Sequence, residues 1–316
     1  MFELGETIAF VFGVVALGYI AGWTGLLRSA SGDALTEFAV AVALPALLFR
    51  TMVQIDLHGA TPWRLWLAYF AVIPFVWTAG HLIITGLFGR ERPAGVVGGV
   101  ASSFSNMLLL GFPLLTSVYG QPGLDVLSLL ISIHLPVMLA ASIVTFEWAR
   151  SGQGGSISPA RIAKDFFGKL FSNPLIIGIL CGLAWRVTGW PVPSLAMRFI
   201  DAFAGIAGII ALFAMGLGLR KYGIGGNVKP AIVLALLKLF LMPALALVSA
   251  YLAGLPVVAA QVVVVVAAMP TGVNPYLIAS RFGTGQMLAS NTMTISTAGA
   301  VVTTVFWLAV AQAVFT

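Results

Sequence analysis

Two stretches hold the groups best able to do chemistry in an otherwise apolar chain. "SSFSNMLLLGFPLLTSVYG" (102–120) contains Ser105, Asn106 and Pro113, and "AAMPTGVNPYLIASRFG" (267–283) contains Pro270, Thr271, Asn274 and Pro275. A proline lacks an N–H, and inside a helix it frees the carbonyl about one turn before it. In lipid, such a group survives only where protein or a water-filled cavity satisfies it. Two breaks of this kind near the bilayer midplane would gather free backbone dipoles, half-helix N-termini and two amide side chains around one cavity. Half-helix N-termini carry partial positive charge, so the arrangement suits binding of a carboxylate. Isolated prolines such as Pro45, Pro74, Pro136 and Pro243 read instead as packing kinks.

The elements that must position these groups are membrane helices. The 316 residues are 60% hydrophobic and 8% charged, with a mean hydropathy of +1.05, far from the charged fraction of a soluble domain. Crossing a bilayer takes about 20 apolar residues. By that measure ten spans are predicted, at 7–26, 36–55, 63–88, 95–119, 124–148, 173–189, 194–219, 230–253, 257–281 and 287–314. Runs such as "PVVAAQVVVVVAAM" lack the alternation of a β-barrel strand. The first apolar segment follows Glu3 and Glu6 with no basic residue before Arg28, so it is expected to remain in the protein and not to be cleaved as a signal peptide. The lone Cys181 permits no internal disulfide.

Placed on alternate sides of ten spans, Lys and Arg divide unevenly. Arg28, Arg90, Arg92, Arg150, Arg161, Lys164, Lys169, Arg220, Lys221, Lys229 and Arg281 share one side; Arg50, Arg64, Arg186 and Arg198 share the other. Eleven against four puts the first side in the cytoplasm and both termini outside, in a plasma (inner) membrane. The net charge of +6 is thus accounted for by topology, with no nucleic-acid partner needed. The stretch 151–172, Gly/Ser-rich and then basic, reads as a cytoplasmic linker between halves 1–150 and 173–316.

The halves repeat. "GYIAGWTG" (18–25) lies over "GLAWRVTG" (182–189) at an offset of 164, and "SVYG" (117–120) over "SRFG" (280–283) at 163. With five spans in each half, the second copy enters from the opposite side, giving an all-α membrane protein of two inverted five-helix repeats. Secondary transporters are often built this way.

"SNMLLLGFPLLTSVYGQPGL" (105–124), "SNPLIIGILCGL" (172–183), "AAMPTGVNPYLIASRFG" (267–283) and "MLASNTMTIST" (287–297) resemble the auxin efflux carrier family. Its members include plant PIN-formed carriers and bacterial permeases for malonate, malate and related acids. The resemblance covers essentially the whole chain. It implies ten helices with broken spans four and nine crossing at their prolines, a scaffold of spans one, two, six and seven, and a mobile transport domain of spans three to five and eight to ten that moves like an elevator. It further implies that Asn106, Pro113 and Pro270 lie at or near the crossing and that Asn274 faces the substrate cavity. A homodimer is likewise implied. Ser105 and Thr271, beside the breaks, join Asn106, Asn274 and His134 as candidate substrate contacts, with Pro113, Pro270 and Pro275 as helix-crossing residues. Two departures are Ile209, where the family has a helix-breaking proline in span seven, and His134, where Asn is frequent in span five.

His134, near the centre of span five, is an ionisable group in a costly place. Proton coupling, substrate binding, or a neutral hydrogen-bonded imidazole are its possible roles. Lys238, about two turns into span eight, is expected to snorkel to the interface and anchor the helix. His81 is expected near a membrane surface, and Arg198 with Asp201, one turn apart, as a local ion pair. Asn291, Thr292, Thr294, Ser296 and Thr297 could line a polar cavity or permit close packing. The pairs Gly18/Gly22, Gly95/Gly99 and Gly178/Gly182 mark tight helix contacts.

No acidic residue is predicted at the midplane, which disfavours the paired carboxylates of a sodium/proton antiporter and favours an organic substrate. No Walker A, HExxH or GxSxG motif occurs, and no metal-ligand spacing, so neither an enzyme nor a cofactor is expected. The function expected is secondary transport of a small organic anion. Alternatives are a sodium-coupled bile-acid-type symporter, a non-transporting ligand-binding membrane sensor, and a channel.

Overall fold

A chain with this composition must satisfy its backbone within its own segments, and helices do so. The computed structural model describes residues 2–55, 61–151, 167–168, 171–222, 224–226 and 228–316, and every regular element among them is helical. In order these are α1 (Phe2–Trp23), α2 (Ser29–Phe38), α3 (Leu44–Gln54), α4 (Pro62–Phe70), α5 (Ile73–Leu82), α6 (Arg92–Ser103) and α7 (Phe112–Ser151). They continue with α8 (Pro174–Thr188), α9 (Ser194–Tyr222), α10 (Lys229–Leu236), α11 (Met242–Leu252), α12 (Val257–Ala268), α13 (Asn274–Phe282) and α14 (Gln286–Val314). Most of the expected linker 151–172, with Arg161, Lys164 and Lys169, lies outside the described residues.

Proline writes the local pattern. Wide, five-residue π-helical turns occupy Ala39–Ala43, Ile83–Leu87, Met107–Gly111 and Leu237–Leu241, and all but Ile83–Leu87 are followed two residues later by proline: Pro45, Pro113 and Pro243. A ring that removes one N–H and presses on the carbonyl four residues back makes the preceding turn widen. At Ile209 there is no ring, and α9 runs through uninterrupted.

Seven helical stretches among the described residues are long and apolar enough to cross a membrane: Gly5–Trp23, Ala30–Gln54, Pro62–Leu87, Met107–Ala149, Ser194–Leu219, Lys229–Leu252 and Gln286–Val314. The difference from the ten predicted spans has identifiable causes. Predicted spans four and five join in one stretch, bent at Gly120 where φ is 61°. Pro174–Thr188 is only 15 residues long, and predicted span nine is split into α12 and α13. The break in predicted span four falls at Phe104–Asn106, several residues before Pro113.

The chain forms two compact units. The first comprises Met1–His58, Leu108–Ile133 and Asp165–Lys221. Its helices approach where a side chain is missing. A Cβ on Gly18 of α1 would collide with the backbone of Phe213 in α9, and one on Gly182 of α8 with the backbone of Phe49 in α3. The two contacts are related by the repeat offset, since 18 and 182, like 49 and 213, differ by 164. Arg50 and Asp201 pair at 3.4 Å and form the ion pair seen among the described residues. The expected Arg198–Asp201 pair is therefore corrected: Asp201 turns to a guanidinium on a neighbouring helix instead of one along its own. Both groups are substantially exposed, so the pair adds little stability. Asp125 is the buried carboxylate here, accepting a 2.8 Å bond from Gln121 Nε2 one turn away.

The second unit comprises Gly59–Met107, His134–Lys164 and Tyr222–Thr316. Its centre is α12, whose run Val262–Val266 is wholly buried. A helix apolar on every side belongs in such a position. Helices α5 and α6 pack through Gly95, Gly98 and Gly99, where a Cβ would strike His81, Ile84 and Trp77.

Replacing Gly182 with Val forces α8 away from the Phe49 backbone, and overpacking of this kind costs about 1–3 kcal/mol. The thermal midpoint of purified protein in detergent is expected to fall. Gly13→Ala, at a site with nothing within 4 Å of the added carbon, is expected to leave it unchanged.

Candidate functional site

The site begins with two helices that stop in the second unit. Helix α6 ends at Ser103 and α12 at Ala268, and each continues as a short extended segment. The segments meet: Ser105 and Thr271 form an antiparallel bridge, the only one among the described residues. Asn106 N–H donates to the Pro270 carbonyl at 2.9 Å, and Gly272 N–H to the Phe104 carbonyl at 3.2 Å. Each break thus satisfies the other's main chain, which neither could do alone in an apolar interior.

The carbonyls left open at the two helix ends are equivalent in position, Ala101 in α6 and Ala267 in α12, and they are capped differently. Thr271 Oγ1 donates to Ala101 at 2.7 Å. Lys238 Nζ donates to Ala267. A helix C-terminus carries partial negative charge, which an ammonium complements. Expected to snorkel outward, Lys238 is instead fully buried. The π-helical turn that carries it, Leu237–Leu241, brings its side chain against the end of α12.

A further carbonyl is freed by Pro243. Four residues back is Leu239, and its oxygen accepts from Trp307 Nε1 at 2.8 Å. The kink and the indole that completes it lie 64 residues apart in sequence.

The candidate residues fall into distinct settings. Ser105 is buried, and its Oγ accepts from Tyr69 OH at 3.1 Å. Thr271 has its hydroxyl on Ala101 and its N–H on Ser296 Oγ at 3.0 Å, so both groups serve the crossing. Asn106 lies in the bridge and is 7% exposed. Asn274 opens α13 and is partly exposed, with Pro275 following it in the first turn. Pro270 lies in the crossing itself. Pro113 belongs to the first unit, where its Cβ stands 3.3 Å from the position a Cβ on Gly208 would take.

His134, 3% exposed, lies among aromatic rings: Phe104 meets it edge-on at 4.8 Å, with Tyr69 at 5.7 Å and Phe70 at 6.2 Å between centroids. Neither ring nitrogen has a hydrogen-bond partner among the described residues. Phe104 is the first residue of the break in α6, so the imidazole borders the crossing. In α14, Thr292 and Thr297 return their hydroxyls to their own helix. Asn291 grips both main-chain groups of Gly225, at 3.1 and 2.8 Å.

Tyr69, Phe104 and Trp307 escaped sequence reasoning, and Ser296, expected to line a cavity or permit packing, instead accepts from the Thr271 N–H. Tyr69 and Phe104 read as ordinary apolar-helix aromatics, and Ser296 was one hydroxyl among several. Only for Trp307 was a signal present: a proline in a span implies a donor somewhere for the carbonyl it frees.

Residues 4–308 match the membrane transport protein family, and the chain belongs to that family, which includes the auxin efflux carriers. It is 28% identical to a malonate transporter candidate of Rhizobium meliloti (strain 1021), covering 94% of this chain and 92% of that one. It is 24% identical to Auxin efflux carrier component 8 of Arabidopsis thaliana, over 63% of this chain and 66% of that one. The Lysosomal cholesterol signaling protein of Mus musculus is 27% identical over 65% of this chain but only 24% of its own length.

Trp307→Phe keeps an aromatic ring in α14 and removes its donor, leaving the Leu239 carbonyl unpaired in a dry interior. Such a loss costs about 1–3 kcal/mol. A lower thermal midpoint in detergent is expected, and it checks the assignment of the indole as the partner of the freed carbonyl.

Proposed function

We propose that this member of the family is a secondary carrier of a small organic anion, a carboxylate such as malonate, malate or an auxin-like acid. The observation that carries the reading is the pair of helix breaks joined through Ser105 and Thr271 inside a membrane-transport chain. Where two spans stop together, half-helix termini and polar side chains collect at one depth, and a carboxylate finds partial positive charge without a metal ion.

In this reading the chain folds as ten helices in two inverted repeats, with both termini outside the plasma (inner) membrane. The offset shared by the Gly18–Phe213 and Gly182–Phe49 contacts supports the repeat. The scaffold is spans one, two, six and seven; spans three to five and eight to ten move as the transport domain, in an elevator-type alternation between inward and outward access. Two compact units that draw on both halves of the chain support a division into two bodies, the first of which keeps spans one, two, six and seven together and differs from the scaffold in also taking Leu108–Ile133. Asn106, Asn274 and His134 contact the substrate, while Ser105 and Thr271 shape the crossing. Two copies assemble as a homodimer.

The mouse relative supports a second reading, in which the same cavity senses a ligand and no net flux occurs. Saturable counterflow in proteoliposomes separates the two: a carrier exchanges labelled for unlabelled acid, and a sensor binds without exchange.

Asn106→Ala and Asn274→Ala each delete an amide expected to hydrogen-bond a charged ligand. A bond of that kind contributes about 1.5–3 kcal/mol, or roughly 10- to 100-fold in transport efficiency. Uptake of a transported acid unaltered in both variants would remove these residues from the site.

A further inference from the structure

The two residues paired in the bridge spend their polar groups differently. Thr271 has nothing left to give: its hydroxyl donates to the Ala101 carbonyl at 2.7 Å and its N–H to Ser296 Oγ at 3.0 Å. Ser105 does the opposite. Its Oγ accepts from Tyr69 OH at 3.1 Å, and its own O–H has no acceptor among the described residues. A serine hydroxyl has one donor and two acceptor sites, so the phenol fills an acceptor site and leaves the donor unspent. Ser105 is 1% exposed, and a buried donor is costly until an acceptor is supplied. Such an O–H, inside the crossing and next to Asn106, is placed to serve a solute oxygen.

Tyr69 is built to hold that hydroxyl still. It lies in the last turn of α4, fully buried, with its ring edge-on to Phe70 at 5.3 Å and to His134 at 5.7 Å between centroids. Packed on these sides, the phenol keeps its oxygen at a fixed place beside the break. A lone serine hydroxyl rotates to suit any neighbour. A fixed donor on one lone pair restricts where the remaining hydrogen points, and a received hydrogen bond polarises the O–H that donates next. One side chain of α4 thus touches the interruption of α6 and the imidazole of α7, all within the second unit.

We infer that Tyr69 is a positioning residue of the transport site: its phenol aims the Ser105 hydroxyl, which donates to the carboxylate of the bound solute. The inference rests on the carrier reading and adds to it one donor and the residue that orients it. Tyr69 acts through Ser105 and makes no contact of its own with the solute. Its hydroxyl therefore matters to affinity only while the serine hydroxyl is present.

The test is concentration-dependent uptake of malonate, malate and indole-3-acetate into proteoliposomes by wild-type protein, Tyr69→Phe, Ser105→Ala and the double variant, with thermal midpoints recorded for each. Tyr69→Phe keeps the ring against Phe70 and His134 and removes only the hydroxyl. It is expected to raise KM for the acid carried about three- to tenfold, with the maximal rate within about twofold of wild type. Ser105→Ala is expected to raise KM at least as much, and the double variant no further than Ser105→Ala, because a group that acts through another adds nothing once the other is gone. A merely structural hydroxyl would lower the thermal midpoint and the maximal rate and leave KM in place. An unmoved KM in a transporting Tyr69→Phe overturns the inference and leaves the carrier intact. So does a double variant whose KM rises by the product of the two single effects. Should Tyr69→Phe fail to fold, Ser105→Ala decides: a KM raised about threefold or more at wild-type stability supports the inference, and an unmoved KM overturns it. Wild-type protein that takes up none of the three acids overturns both readings.

Discussion

The structure depends on one constraint: a main-chain polar group in an apolar interior must find a partner inside the protein. Ordinary helices meet it automatically, residue by residue. Where this chain stops being helical, at Phe104–Asn106 and again at Met269–Val273, it meets the constraint by bringing the two interruptions together, so that Asn106 and Gly272 donate across to Pro270 and Phe104. The consequence is mutual. Neither break is tolerable without the other, and a site made from them has two walls drawn from opposite halves of the sequence.

The same constraint explains the supporting cast. A proline-distorted turn or an interrupted helix end leaves a carbonyl to be satisfied, and the answers come from remote positions: an indole for Leu239, a hydroxyl for Ala101, the Lys238 amine for Ala267. Small residues carry a complementary task. Without a hydrophobic driving force between helices in lipid, close contact must come from shape, and the glycines of α1, α6 and α8 let backbones or broad side chains approach where any Cβ would intrude.

Much of this was legible in the residues. Hydropathy gave helices, and the doubled Pro-and-Asn pattern lay close to both interruptions. The rest was hidden for physical reasons. Helix periodicity says which residues share a face but not which distant donor completes a kink, so Trp307 and Tyr69 were invisible. Proline was read as the point of rupture in span four, whereas the chain departs from helix at Phe104–Asn106 and Pro113 lies within the helix that follows. Proline's missing donor widens a turn readily, as before Pro45 and Pro243; full rupture requires a partner strand, and only the fold supplies it.

Lys238 shows how an interior charge can be misjudged from position along a span. A long side chain near a helix end usually escapes to the interface, since its stem is apolar and its head prefers water. That expectation assumes an unbroken neighbour. Here α12 ends inside the protein, and its terminal carbonyls create a local negative pole that a straight helix would have placed at the membrane surface. The break thus changes the electrostatics of its surroundings as well as its own geometry: it leaves an acceptor inside the protein that holds the lysine's buried amine.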